Sequence, residues 1–338
     1  MKKIMTIVAA TLLTCGLLAA NAAAAEKVIP IRMGHSSSED TSLQKGCLKF
    51  KEILEASGKF KVQVFPNAQL GGDRELFEAV QNNDVQIGMS TSAPTVNFVP
   101  SAVIFDMPFV YRTRADARAV LKDKEFFSVM QAEYAKSGYR LLGYSDMGFR
   151  TLTANIKATK PDDLKGLVMR VMENPYHMEI WRAIGTNPTP IPFNELYTAL
   201  QQGTCDAEEQ PIEMMHSSKV YEQQKYAIET NHVLHTVVWL TNQEFYNSLP
   251  ADHKKIFDDA IPAMLQAAIE YGDQSYDRYV KVMEKAGLQF VPLPDANWQL
   301  FADRAQSTWK MIEKAAGPTV FNAFTGARER QIGAKALK

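Results

Sequence analysis

A chain of 338 residues with 46% hydrophobic and 22% charged side chains can build two lobes of ordinary size, each around its own core. A formal charge of −1 at pH 7 without basic clusters gives no basis for nucleic-acid binding. Beyond the first 25 residues no segment carries the roughly 18 uninterrupted apolar positions of a membrane-spanning helix.

Residues 1–25 read as a secretory signal peptide. Lys2 and Lys3 precede the apolar run Ile4–Ala20, and Asn21–Ala25 supplies small residues before Glu26. A membrane anchor fits less well, because the apolar run is short and ends in alanines, and Thr14 disfavours a lipidated Cys15. Removing Lys2 and Lys3 from 37 basic residues leaves 35 against 38 acidic ones, a charge of −3. Cys47 and Cys205 then remain. An oxidising compartment permits them to pair, but two separate buried thiols are expected.

In chain order, Val28–Met33 is a strand that runs into Gly34, His35 and a serine run. Leu43, Cys47, Phe50 and Leu54 recur at helical spacing up to Gly58. Phe60–Phe65 alternates as a second strand, and Asp73 is placed to cap a helix through Leu76, Phe77 and Val80. Val85–Ser90 is a third strand, ending at Thr91 and Ser92. Strands and helices alternating at this interval predict a parallel or mixed sheet with helices on its faces. Ala102–Tyr111 is an apolar connection, and residues 114–137 form one amphipathic helix. Tyr139–Tyr144 and the following DMGFRTLTAN are two strands, the second carrying Arg150.

The stretch LKGLVMRVMENP, from Leu164 to Pro175, is the most informative. Leu167–Met172 is apolar enough for a strand buried on both faces, yet Arg170 lies inside it. Asn174 and Pro175 suit the N-cap and first position of a helix that runs to Gly185. Arg170 therefore stands near the carboxyl end of a strand and just ahead of a helix N-terminus, where open α/β sheets bind ligands and favour anions. Two readings stand at this point: an arginine that grips a carboxylate, or one that reaches solvent or pairs with Glu173. NPTPIPF follows as a rigid extended segment, Asn194 caps a helix ended by Gly203, and Gln210 precedes Pro211 and a helix from Ile212 to Tyr221. Val233–Leu240 is a strand. Residues 250–286 read as one long helix with Pro262 inside it to kink or split it, and amphipathic helix with a basic tail completes the chain.

His232 and His235 are three apart on a predicted strand, which turns them to opposite faces with no companion cysteine or carboxylate. They read as two ordinary histidines rather than a metal site. Nucleophile and phosphate-loop motifs are missing, and no cofactor is expected. What remains is a set of binding groups at strand ends: the planar donors Arg150 and Arg170, Phe193 as a flat wall, and the amide of Gln210.

Four runs carry a resemblance: PNAQLGGDRELFEAVQNNDVQIGMSTSA, GFRTLTAN, LKGLVMRVMENP and GTNPTPIPFNELYTALQQGTCDAEEQP. In order and spacing they resemble the periplasmic solute-binding subunit of a tripartite ATP-independent (TRAP) transporter of the DctP type, from Val28 to about residue 325. The resemblance implies an α/β, two-lobed periplasmic binding protein fold with a ligand cleft between the lobes and a long lobe-spanning helix towards the C-terminus. Lobe I would take 26–147 and 236–275, and lobe II 148–235 and 276–330. It also implies that Arg170 forms the salt bridge to a substrate carboxylate and that Arg150 is the second cleft arginine. Phe193 and Gln210 would line the cleft, and Asp73, Thr91, His35 and Ser36 would face it from the first lobe. Such a protein is no enzyme. It works as a periplasmic monomer that captures an organic acid and delivers it to membrane permease subunits.

Two departures bear on the ligand. Met172 and Glu173 follow Arg170 and Val171 where the family often has proline, and Asp206–Pro211 reads D-A-E-E-Q-P where the family often has D-G-Q-E-N-P. A cleft carboxylate at Glu173 would repel a second ligand carboxylate and accept hydroxyls, which predicts a hydroxylated monocarboxylate such as a uronate or aldonate. Glu173 turned outward is the other reading. A C4-dicarboxylate ligand, or a ligand sensor of the same fold, stands as the alternative function.

Overall fold

The computed structural model describes residues 28–334; the expected signal peptide and Cys15 lie outside them. The chain begins with β1 (Ile29–Gly34), α1 (Ser42–Ala56), β2 (Phe60–Phe65), α2 (Asp73–Gln81) and β3 (Ile87–Thr91). Gly72, not Asp73, is the N-cap of α2; Asp73 is the first helical residue, and its carboxylate accepts from Ser36 Oγ at 2.5 Å. The single helix expected over 114–137 is two, α3 (Arg114–Leu121) and α4 (Lys124–Lys136). Asp123 makes the break: its side chain caps α4 by accepting from Phe126 N at 3.0 Å, and Arg330 donates to it.

The two strands expected after α4 form, but the break falls at Arg150 instead of after Tyr144: β4 (Tyr139–Phe149) runs for eleven residues, and β5 (Thr151–Ala154) follows after Arg150 alone. Next come β6 (Val168–Val171), α5 (Pro175–Ile184), β7 (Asn187–Pro190), α6 (Leu196–Gln201), β8 (Ala207–Gln210), α7 (Ile212–Ser218), β9 (Tyr226–Glu229) and β10 (Leu234–Asn242). Asn174 caps α5 as expected, accepting from the backbone N–H of Tyr176 and His177. Asn194 caps nothing, because Phe193–Glu195 is a 3-10 turn. The helix after Pro211 stops at Ser218, since Lys219 adopts a left-handed conformation with φ 57°.

α8 (Gln243–Ser248), α9 (Ala251–Lys285), β11 (Gln289–Pro292), α10 (Asp295–Ala305) and α11 (Trp309–Ile332) complete the chain. α9 runs unbroken for 35 residues through Pro262, which does not split it. Its buried stripe holds it on both sides of the proline: Phe257, Ala260, Met264 and Ala268 face one core, and Tyr279 and Met283 face another. Among the described residues no helix is long and apolar enough to cross a membrane.

The strands form two sheets, one for each lobe. The five-stranded sheet has the order β2-β1-β3-β10-β4, with β1, β2 and β3 parallel and β10 antiparallel to both its neighbours. The six-stranded sheet has the order β11-β9-β5-β8-β6-β7. The chain passes between sheets at Arg150 and again at Thr230–Val233, and the two crossings are bonded to each other through Arg150 N and Val233 O at 2.8 Å. α9 makes the third link. α1 lies close on the first sheet because Gly46 has no side chain: a Cβ there would stand 2.5 Å from Trp239 and 3.1 Å from the Met264 carbonyl.

The last helix departs from the expected division. α11 packs on the first lobe, with Phe324 against Phe126 at 5.6 Å and Arg328 donating to the Val110 carbonyl, so residues 309–332 do not sit in the second lobe with the rest of 276–330. Cys47 and Cys205 are both buried and unpaired, in different cores.

Candidate functional site

Strand alternation aims Arg170. Met169 and Val171 are fully buried in the core on one face of β6, so Arg170 leaves from the other face, and its Nε donates to the Ile191 carbonyl at 2.9 Å. Its terminal nitrogens have no protein partner among the described residues and face a cavity between the lobes. Burial pulls the pKa of Arg170 below the usual guanidinium value; Glu208 nearby acts in the opposite sense. A buried guanidinium whose two terminal nitrogens are both free has the geometry that suits a planar anion.

The cavity has a volume of about 20 Å³, room for one or two water molecules. Its lobe I wall is polar, built from Ser36, Asp73, Ser90 and Thr91, and its lobe II wall carries Phe193 and Gln210. Gln210 Nε2 donates to Ser218 Oγ at 2.9 Å, while Gln210 Oε1 is a buried acceptor without a partner. Burial raises the pKa of Asp73, opposed by hydrogen bonds from Ser36 and Ser90 and by the charge of Arg170. Leu43, Met147, Met172 and Met214 add an apolar lining that the sequence did not single out. Polar contacts bridge the lobes around this space: Ser38 N to Ser217 Oγ at 3.0 Å, Ser42 N to Glu213 at 2.5 Å, and Asn174 Nδ2 to the Ala93 carbonyl at 3.0 Å.

Arg150 also reaches the cavity, but it is spent on the protein. It pairs with the carboxylate and the carbonyl of Glu209, and its NH1 lies 2.6 Å from His235 Nδ1. Glu209 is fully buried. Burial alone would raise its pKa, but Arg150, His177 and His232 hold it well below the usual carboxylate range. His232 Nε2 sits 2.9 Å from Glu209, and His177 bridges Asp106 at 3.0 Å and Glu209 at 3.6 Å. Burial works against charge on His177, yet Asp106 and Glu209 together lift its pKa to about 9.

These contacts correct the expectation that His232 and His235 point to opposite faces with no carboxylate beside them. The strand starts at Leu234, so His232 belongs to the lobe crossing, and both rings turn to the Arg150–Glu209 pair. The sequence did contain a signal: a strand reading Ala-Glu-Glu-Gln must bury at least one acid, and a buried acid requires cations around it.

The structure brings Arg170, Arg150, Phe193, Gln210, Asp73, Thr91 and Ser36 to one cavity, and it leaves out two expected members. His35 is buried with Nε2 2.9 Å from Gln44, and burial lowers its pKa to about 4. Glu173 is half-buried and does not line the cavity. Its carbonyl accepts from Asn97 at 3.0 Å; burial and then Glu75 raise its pKa, with Arg74 opposing. It stands at the cleft margin facing α2, because alternation along the strand end turns Met172, not Glu173, inward. The cleft carboxyl group is Asp73.

Comparison with known proteins agrees with this architecture. The model of the bacterial extracellular solute-binding protein family 7, DctP, matches residues 33–315. A solute-binding protein of Verminephrobacter eiseniae is 41% identical over 212 residues, covering 62% of this chain and 63% of that protein. A TRAP periplasmic solute-binding protein of Bordetella bronchispeptica, with density assigned as pantoate, superimposes with a TM-score of 0.82 at 32% identity, over 89% of this chain and 99% of the other. The sugar acid binding protein DctPAm of Advenella mimigardefordensis, in complex with galactonate, gives a TM-score of 0.85 at 26% identity, over 90% of this chain and 99% of the other. The chain therefore belongs to the DctP family of TRAP transporter periplasmic solute-binding proteins, whose members bind solutes for transport and are not enzymes.

Proposed function

We propose that this protein captures a small hydroxylated monocarboxylate in the periplasm, with the carboxylate on Arg170, and delivers it to the membrane permease of a TRAP transporter. The observation that carries this reading is the pairing of one cation with free terminal nitrogens, Arg170, with one unpartnered acceptor, Gln210 Oε1, in a cavity whose carboxyl group, Asp73, is already held by Ser36. Arg170 offers two donors to a carboxylate, and Gln210 Oε1 and the Asp73 carboxyl group accept from hydroxyls. Arg150 is neutralised by Glu209, so a second ligand carboxylate would find no free cation and would meet Asp73. That argues against a C4-dicarboxylate. It moves the discriminating role from Glu173 to Asp73. The galactonate and pantoate of the two structural relatives are both hydroxylated monocarboxylates and support the class.

The cavity as it stands is too small to hold such a ligand, so binding requires the lobes to part about the crossings at Arg150 and Thr230–Val233 and to close again around the ligand in a wider cleft. A thermal-shift screen of galactonate, galacturonate, pantoate, succinate, malate and amino acids tests the assignment, because a ligand that binds the folded state raises Tm by mass action. Stabilisation by a hydroxylated monocarboxylate is the expected result. A strong shift with succinate and none with any hydroxylated monocarboxylate overturns it.

A further inference from the structure

Glu208 has no place in the site as described, yet it is the ionisable group built closest behind it. Met169 on β6 pairs with Ala207 on β8 in parallel register, so Arg170 and Glu208, one residue further on each strand, leave the sheet side by side on the same face. Glu208 has no exposed surface. Its Oε1 accepts from Thr153 Oγ1 at 2.7 Å, across the β5–β8 pair, and its Oε2 has no partner. No ion pair within bonding distance joins it to Arg170 among the described residues, so the two act on each other through charge alone. A buried carboxyl group with one oxygen unsatisfied favours the protonated form, in which that oxygen carries no charge.

We propose that Glu208 sets the charge that Arg170 presents to the cavity, so that capture of a carboxylate by Arg170 takes up one proton. This rests on the reading that Arg170 is the carboxylate receptor. With Glu208 neutral, the full charge of Arg170 acts on the ligand. With Glu208 ionised, the strand neighbours cancel and the cavity loses its attraction for an anion.

The titratable groups whose charge acts on Glu208 are Arg170 on β6, Arg150 at the crossing before β5, Glu209 on the opposite face of β8, and Cys205 in the turn before β8. Burial dominates among them and lifts its pKa to about 7; the Thr153 hydrogen bond and Arg170 pull the other way. Affinity for a monocarboxylate therefore falls as pH rises above neutrality, by up to about tenfold per pH unit for one linked proton.

Infrared difference spectroscopy of the ligand-free protein and of Glu208→Gln, titrated from pH 5 to 9, isolates the carboxyl stretch of Glu208. Glutamine keeps the acceptor for Thr153, so the variant should fold. Two perturbations then read the coupling: Arg170→Gln, and acetate as the smallest organic carboxylate. The expected result is a protonated band lost in Glu208→Gln, with a titration midpoint near neutrality that moves upward in Arg170→Gln and upward again when acetate binds the parent, since linkage is reciprocal. A band that survives Glu208→Gln, or a midpoint indifferent to Arg170→Gln, overturns the proposal, as does acetate that binds without moving it. Acetate that does not bind the parent at any pH overturns carboxylate capture itself. The Arg170→Gln titration distinguishes that failure from a failure of the charge coupling.

Discussion

The most direct test removes the fork of Arg170. Its guanidinium is buried, anchored among the described residues only by the Nε–Ile191 hydrogen bond, and its terminal nitrogens face the cavity. A carboxylate at about 4 Å in a closed site of effective dielectric near 20 gains about 4 kcal/mol. Truncating one partner of a buried charged pair costs about 2–5 kcal/mol, which brackets that figure. Arg170→Ala should therefore weaken binding by about 30-fold to several thousand-fold. Arg170→Lys should also bind poorly, because an ammonium cannot reproduce both the planar fork and the Ile191 anchor. The fold should survive, since Glu208, left without its nearest cation, takes up a proton instead of remaining a buried charge. Isothermal calorimetry with the compound that gives the largest thermal shift measures the loss, and near-ultraviolet dichroism checks the fold. An Arg170→Ala affinity within about threefold of the parent, a difference under 1 kcal/mol, would refute the assignment.

Arg150→Gln leaves Glu209 buried with only histidines around it, which should cost about 3–5 kcal/mol and lower Tm by roughly 6–12 °C; an unchanged melting curve would show that the pair is not structural. Gly46→Ala drives a methyl group into Trp239 and the Met264 carbonyl and should destabilise by about 1–3 kcal/mol in urea titration, with ligand affinity unaffected in the protein that remains folded. His177 has a folded pKa raised to about 9, so its stabilisation is complete below the ordinary histidine pKa and is lost as pH rises through 9. Tm should decline between pH 7 and 9.5, and His177→Gln should flatten that decline. Small-angle scattering should show a smaller radius of gyration with ligand than without, and an identical radius at saturation would count against hinge closure.

Much of the fold was legible because local rules and the global architecture agree. The strand at Leu167–Met172 with Asn174 and Pro175 behind it placed Arg170 near the carboxyl end of a strand just ahead of a helix, and in the structure Arg170 is the penultimate residue of β6 with α5 starting at Pro175. What local rules missed were breaks decided by tertiary partners. Asp123 divides one amphipathic pattern into two helices because Arg330, more than 200 positions away in sequence, holds its carboxylate in place. Pro262 fails to divide α9 because both halves of the helix are pinned by buried side chains.

The electrostatics of the site were the least legible part, and the reason is geometric. Sequence shows two arginines and counts two receptors for a carboxylate, but whether an arginine is free depends on what faces it across a sheet. Arg150 stands at the lobe crossing, where β5 pairs with β8 in the register Thr151↔Gln210 and Leu152↔Glu209, and this brings Glu209 within reach. Arg170 stands on β6, where the parallel register places Glu208 beside it but not in contact with it. Adjacent acids on one strand thus treat the two arginines in opposite ways, because successive side chains leave a strand on opposite faces. Glu209 neutralises Arg150 and ties it to His177 and His232. Glu208 leaves Arg170 a charge that a proton can turn up or down. A one-residue slip of β8 would exchange these faces and the arginine partners with them, so the binding charge of this cleft is a property of strand register as much as of residue type.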